Sequence, residues 1–293
     1  MKKPITFSNA DNLHFLNGEW LTSKDMKISV FDLSVIRGYG VFDFVKSYNH
    51  KFIWSDEYID RFFRSAFEYC LPIPYTKNEI KTLLNIALEK NPKDDIYIRI
   101  LLTGGISENT LSLGRNHSFM MLINYIHPID SELYEKGGRF ITHVGPRISP
   151  AVKSTNYTNS IYARHKYKNE KFTDILLVDT KKDPNIYEGS VNNIFFVREN
   201  KIITTPEKYV LDGIMKRKTI DSINLLGIEL EYRFVKMSEL KSMDEAFATN
   251  SSLKVYPVTS INSQKISNYA GLITKRVANK LNELIEKEIT LQS

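Results

Sequence analysis

The chain has 293 residues, 42% of them apolar and 25% charged, with a formal net charge of +6. Those values are ordinary for a globular protein, and the length favours two domains over a single core. A single cysteine, Cys70, excludes an intramolecular disulfide and suits a reducing compartment. The longest apolar run, Phe119 to Ile126, is too short to span a bilayer and is broken by Asn124. Met1-Lys2-Lys3 has no apolar run behind it, so it does not read as a signal peptide, and a cytoplasmic location is expected. Only Lys216-Arg217-Lys218 approaches a basic cluster, and no nucleic-acid motif accompanies it. The charge excess therefore reads as solubility and attraction for small anions, with neither nucleic acid nor membrane as partner.

Asn17-Gly18, between Phe15-Leu16 and Trp20-Leu21, predicts a hairpin whose two central residues take positive φ. Val41 to Tyr48 predicts a strand that turns at Asn49-His50 and returns through Phe52-Ile53-Trp54. Ser55 then reads as the cap of a helix with Asp56 and Glu57 in its first turn. Ile59, Phe62, Phe63, Ala66 and Phe67 form its expected buried stripe, which also takes Cys70 inward. A second helix near Lys77 to Glu89 leads to strands at Ile96–Leu102 and Phe119–Ile126. These elements predict a small α/β domain over residues 1–127.

Residues 128–138, with Pro128, Asp130, Ser131 and Gly137-Gly138, read as an interdomain linker. A larger domain, 139–293, follows. Its short strands are expected at Phe140–Val144, Ile175–Val178, Ile194–Val197, Ile202–Thr205, Ile228–Phe234, Ala246–Thr249 and Val255–Ile261. Glu199-Asn200 reads as a tight turn. Helices are expected at Tyr157–Lys168, Ile214–Leu226 and Tyr269–Glu286. The fold class is thus α+β in two domains.

Two segments carry the chemistry. Val152-Lys153-Ser154-Thr155-Asn156-Tyr157 offers a lysine and a tyrosine four residues apart, and Tyr187-Glu188-Gly189-Ser190 offers a glutamate at the entrance to an apolar strand. A lysine that forms Schiff bases and a carboxylate that holds a pyridinium nitrogen are what pyridoxal 5'-phosphate (PLP) asks of a protein. Placed between loop and helix after Arg147-Ile148-Ser149-Pro150, Lys153 would gain the lowered pKa that an attacking amine needs. Tyr157 would fall one helical turn later on the same face, within reach of a ring oxygen. Leu211-Asp212-Gly213-Ile214-Met215 opens a helix whose free N–H groups and dipole suit a phosphate. Ser251-Ser252, after a predicted strand, adds hydroxyl and amide donors. The six histidines show no metal-ligand spacing, and Gly38-x-Gly40 lacks the third glycine of a dinucleotide fingerprint.

From about Asn17 to Ile266 the chain resembles the fold-type IV, or class IV, PLP-dependent aminotransferases. The resemblance is carried by Arg37-Gly38-Tyr39-Gly40-Val41-Phe42-Asp43, Asp60-Arg61-Phe62, Tyr97-Ile98-Arg99, Lys153, Glu188-Gly189-Ser190 with Asn193, Leu211 with Gly213-Ile214, and Ser251-Ser252. It implies a larger C-terminal domain with a β-barrel-like core and a homodimer. It implies Lys153 as the Schiff-base lysine, Glu188 as pyridine partner, Tyr157 as ring-oxygen partner and Leu211 against the ring. Arg61, Ile214, Met215 and Ser251 would bind phosphate. Helical spacing alone puts Arg61 opposite the apolar stripe, toward solvent. The family usually has Thr where Met215 stands and Arg where Lys216 stands, so one hydroxyl contact is lost here.

Arginine is the usual tool for a substrate α-carboxylate because its fork pairs both oxygens. Arg37 and Arg99 are the candidates, with Phe42 and Ser252 as further substrate contacts. The combination of Arg37, Arg99 and Leu102-Thr103-Gly104-Gly105 resembles a group of D-amino-acid transaminases that use two arginines. The expected activity is therefore transfer of the amino group between a D-amino acid and a 2-keto acid. L-branched-chain amino acid transamination is the alternative, followed by aminodeoxychorismate lyase.

Overall fold

The computed structural model describes residues 12–126 and 131–291, so the extreme N-terminus and part of the expected linker lie outside the described residues. The described residues fall into two compact units. One holds residues 12–126, the short segment Val152–Asn156 and residues 288–291; the other holds residues 131–151 and Tyr157–Lys287.

In the first unit, β1 (Leu13–Leu16) and β2 (Glu19–Thr22) form the expected hairpin, with Asn17 at φ 48° and Gly18 at φ 104°. A short helix, α1 (Leu33–Ile36), precedes β3 (Gly40–Tyr48), which turns through Asn49 and His50 into β4 (Lys51–Phe52). Helices α2 (Ser55–Glu68) and α3 (Lys77–Lys90) lead to β5 (Ile96–Thr103) and β6 (Phe119–Tyr125). The six strands make one antiparallel sheet in the order β2-β1-β6-β5-β3-β4. Strand alternation puts Val41, Asp43, Val45 and Ser47 on its buried face and Phe42, Phe44 and Lys46 on the other.

Three expectations for this unit are corrected. Trp54, left-handed at φ 54°, is the N-cap of α2, so Ser55 is the first helical residue rather than the cap. The buried stripe is Tyr58, Ile59, Arg61, Phe62, Ser65 and Ala66, while Phe67 is 82% exposed. The helix is rotated so that Arg61 faces inward, because Asp43 waits on the sheet to receive it. Cys70 is exposed rather than core, since the chain leaves the helix at Tyr69 and takes φ 52° at Cys70.

The second unit opens with α4 (Glu132–Lys136) and β7 (Gly138–Val144), and α5 (Thr158–Lys166) follows. Strands β8 (Asp174–Val178), β9 (Ile186–Gly189), β10 (Asn193–Arg198) and β11 (Lys201–Thr204) precede α6 (Ile214–Leu225). Then come β12 (Leu230–Tyr232), β13 (Glu245–Asn250), β14 (Lys254–Ile261), β15 (Gln264–Lys265) and α7 (Leu272–Leu291). These strands form one nine-stranded mixed sheet, with β11–β12, β14–β7 and β7–β8 parallel. Phe140, Leu176, Ile194, Phe196, Ala248, Tyr256 and Val258 fill one of its cores. Strand β9, which carries Glu188, has no counterpart among the predicted strands.

Candidate functional site

Lys153 does not lie at a helix start. Val152–Asn156 runs as an extra antiparallel segment along the start of β3, with Ser154 bridged to Val41. The Phe42 N–H donates to the Lys153 carbonyl at 2.9 Å, and the Thr155 N–H to the Gly40 carbonyl at 2.9 Å. The Lys153 N–H donates to Ser65 Oγ of α2 at 3.1 Å. Gly40 makes the approach feasible, because a Cβ there would stand 2.9 Å from the Leu102 carbonyl and 3.2 Å from Thr155 Oγ1. The expected helical turn between Lys153 and Tyr157 is therefore absent; Tyr157 is the N-cap of α5.

The half-buried Lys153 amine lies 4.6 Å from the centroid of the Phe42 ring. The Arg99 guanidinium lies 6.0 Å from the same centroid. Beside them, Phe44 and Tyr97 stack with centroids 5.0 Å apart. This sheet face thus gathers an amine, a guanidinium and three aromatic rings, and each cation gains about 0.5–1 kcal/mol or more from the ring it faces. Arg37 is placed elsewhere: it is exposed, and its guanidinium donates to the Ile36 carbonyl and to Thr110 Oγ1 at 3.1 Å.

On the opposite face of the same sheet, Arg61 forms a two-pronged pair with Asp43. Nε donates to Oδ2 at 2.9 Å and Nη2 to Oδ1 at 2.7 Å, and both residues are buried. Paired hydrogen bonds of this kind fix the plane of the guanidinium as well as its charge.

In the second unit, Glu188 is 3% exposed and is held from several sides. Its Oε2 accepts from the Leu211 N–H at 3.2 Å and from Asn193 Nδ2 at 3.3 Å. Its Oε1 lies 3.0 Å from Arg147 Nε. The same guanidinium donates through Nη2 to the Tyr157 hydroxyl at 3.3 Å and to the Ser190 carbonyl at 3.2 Å, and it lies over the Tyr157 ring. Burial works against the charge of Arg147, but Glu188, Tyr157 and Asp174 outweigh it and hold the guanidinium pKa above its ordinary value. Arg147 therefore stays cationic beside the Glu188 carboxylate.

Helix α6 starts at Ile214 with Gly213 as N-cap and no side-chain cap, and Ile214 and Met215 in its first turn are buried. A Cβ on Gly213 would fall 2.3 Å from Asn193 Oδ1, so the bare backbone is what lets α6 begin against the Glu188 cluster. Leu211 contributes through its backbone, its N–H bonding Glu188 and its carbonyl accepting from Asn193 Nδ2 at 3.0 Å. Ser251 and Ser252 sit half-buried in a turn closed by Asn250 Oδ1, which accepts from the Ser252 and Leu253 N–H groups.

One residue here escaped the sequence reading, and a second was read only as part of a basic cluster and as a departure from the family pattern. Arg147 appeared only as context for Lys153, and nothing in its neighbourhood names Glu188, forty-one positions on, as its partner. Lys216 is 1% exposed, and its amine donates to the Thr205 carbonyl at 3.2 Å. Burial pulls its pKa down, opposed by Glu207, Glu188 and Asp212.

Taken unit by unit, the donors present suit PLP: the first unit carries an amine and a fixed guanidinium, and the second carries a carboxylate paired with a guanidinium, a phenol, and a helix start that no side chain caps. No group of His, Cys, Asp and Glu among the described residues suits a metal ion. No helix among them is long and apolar enough to cross a membrane.

Comparison with known proteins identifies the family. The family model for amino-transferase class IV matches residues 40–261. A Methanocaldococcus jannaschii protein provisionally named a branched-chain-amino-acid aminotransferase is 33% identical, over 93% of this chain and 96% of its own. The D-alanine aminotransferase of Bacillus licheniformis is 26% identical, over 93% and 96%. Among solved structures, a T.th. branched-chain amino acid aminotransferase with pyridoxamine 5'-phosphate superposes with a TM-score of 0.87 at 25% identity, covering 96% of both chains.

Proposed function

We propose that this chain, which belongs to the class IV aminotransferases and uses PLP, transfers the amino group between a D-amino acid and a 2-keto acid. The fold is the two-domain α+β architecture of fold-type IV. The observation that carries the reading is the shared ring of Phe42, with the Lys153 amine 4.6 Å and the Arg99 guanidinium 6.0 Å from its centroid. An amine that moves the Cα proton and a guanidinium that pairs with the neighbouring carboxylate serve one substrate, and both of these face the same ring.

PLP, when bound, supplies the electron sink that makes the Cα proton acidic. Lys153 Nζ would hold the cofactor aldehyde, and as a free amine it would take and return the Cα proton as general base and acid. Phe42 orients that amine. Arg99 would bind the α-carboxylate, and Arg37, exposed and bonded to Thr110 Oγ1, would join it as the second arginine only on leaving that partner. Glu188, paired with Arg147, would keep the proton on the ring nitrogen. Tyr157 donates to the ring oxygen. Arg61, the first-turn N–H groups of Ile214 and Met215, and Ser251 hold the phosphate, while Leu211 packs on the ring and Ser252 faces the substrate. A homodimer in the cytoplasm completes the proposal.

A second reading, L-branched-chain transamination, is favoured by the M. jannaschii relative and by the T.th. structure. One experiment separates the two. The visible band of the PLP-loaded protein is followed as D-amino acids, then L-leucine, L-isoleucine and L-valine, are added. Loss of the band with D-substrates alone supports the first reading; loss with the L-branched-chain set alone overturns it in favour of the second.

A further inference from the structure

The turn that joins Glu188 to Asn193 is held from behind by a carboxylate whose hydrogen bonds go to the residues between them and to Arg164. Asp174, the first residue of β8, is 1% exposed. Its Oδ1 accepts from the Ser190 hydroxyl and from Arg164 Nη2. Its Oδ2 accepts from Asn192 Nδ2 at 2.6 Å and lies 3.4 Å from the Val191 N–H. Gly189 leaves room for this, since a Cβ there would come within 2.7 Å of Oδ2. Ser190 is fixed twice more: its N–H donates to the Ile175 carbonyl at 2.8 Å, and its carbonyl receives Arg147 Nη2 at 3.2 Å. One chain of polar contacts therefore runs from Asp174 through Ser190 to Arg147 and on to Glu188.

Burying a carboxylate costs several kcal/mol, and a turn can be closed by glycine and asparagine without one. What a charge adds is potential. Asp174 is among the groups that hold the Arg147 guanidinium cationic, while Arg164 of α5 balances Asp174 from the other side. Tyr256 of β14 also lies within its field; burial first, then Asp174, pushes that phenol well above its ordinary pKa, so Tyr256 stays neutral.

We infer that Asp174 is a positioning residue for transamination: through Ser190 and the turn 189–192 it fixes Arg147, and so sets the aim and charge of Glu188, without touching cofactor or substrate. The inference rests on the reading of Glu188 as partner of the cofactor nitrogen.

The test compares the PLP-loaded parent with Glu188→Gln, Asp174→Asn and Ser190→Ala. Four quantities are read: the pH titration of the visible cofactor band, the Kd for PLP added back to stripped protein, kcat against KM, and Tm. Glu188→Gln moves the band titration. Asp174→Asn moves it in the same direction by less, and lowers kcat about tenfold with the amino-acid KM within about twofold of the parent (about 1.4 kcal/mol on the barrier). Ser190→Ala, which keeps the carbonyl that Arg147 uses, gives a smaller change of the same sign and serves if Asp174→Asn does not fold. A lowered Tm with parental band titration, PLP affinity and kcat overturns the inference. An unchanged band in Glu188→Gln removes the reading beneath it, which is a distinct failure.

Discussion

Arg147 lies 3.0 Å from Glu188 Oε1 and, through its other nitrogen, 3.3 Å from the Tyr157 hydroxyl. One guanidinium thus governs both groups proposed to meet the cofactor ring. Arg147→Met would take away the guanidinium that Glu188 pairs with, and breaking a buried pair in this way costs about 3–5 kcal/mol. The expected outcome is a lower denaturation midpoint together with weakened PLP retention. Arg147→Lys keeps a charge but not the fork, so it restores stability better than cofactor affinity. Parental PLP affinity in Arg147→Met would show that the carboxylate does not need Arg147 to hold it in place.

Asp43→Asn tests the other buried pair. Asparagine keeps the shape but offers Arg61 one acceptor where the carboxylate offers two, and it removes the compensating charge. A loss of about 3–5 kcal/mol in unfolding free energy is expected. Retention of PLP after dialysis should fall as well, because Arg61 loses the partner that fixes its plane. A variant with parental stability would mean that this pair is replaceable by water.

The two candidate carboxylate binders should differ. Arg99 shares the Phe42 ring with Lys153, whereas Arg37 is exposed and tied to Thr110. A charged hydrogen bond contributes about 1.5–3 kcal/mol, which corresponds to roughly 10- to 150-fold in affinity. Arg99→Ala is expected to raise KM for the amino acid within that range with the cofactor band intact, and Arg37→Ala to raise it less. Equal, parental KM values in both variants would end the carboxylate assignment.

His14 gives the first unit an acid limit. Its Nδ1 accepts from the Ile123 N–H at 3.0 Å and its Nε2 pairs with Ser23 Oγ at 2.8 Å, an arrangement that needs a neutral ring. Burial lowers its pKa in the fold. A lowered folded value means that the neutral ring's stabilisation is complete above the unfolded pKa of about 6.5 and is lost as pH falls below it, through the folded value. Urea midpoints measured from pH 7.5 down to 5 should therefore decline more steeply in the parent than in His14→Gln. Parallel curves would exclude His14 as the source.

What the sequence disclosed were features whose cause is local. The Asn17-Gly18 turn, the return at Asn49-His50 and the strand alternation of residues 41–48 follow from residues that are neighbours in the chain, and the structure has each of them. Helical spacing misplaces Arg61 because the force that turns it inward comes from Asp43 on another element. Glu188 is legible through its motif, but β9 is not, since four residues at the end of a sheet leave no readable period. Arg147 is invisible as a partner because ion pairing across 41 positions leaves no mark on either neighbourhood. Lys153 is legible while its setting is not: an edge segment held by backbone bonds to residues 40–42 has no side-chain signature.

That edge segment also bears on how the enzyme becomes competent. Five residues, Val152–Asn156, leave the C-terminal unit in sequence but fold with the N-terminal sheet. A fragment beginning at residue 131 would contain the lysine without the strand that seats it, and a fragment ending at residue 126 would contain the strand without the lysine. Neither piece alone presents a fixed amine. During synthesis the N-terminal sheet must wait for a segment made more than a hundred residues after β3, so the cofactor capture proposed for Lys153 is confined to chains completed past their midpoint.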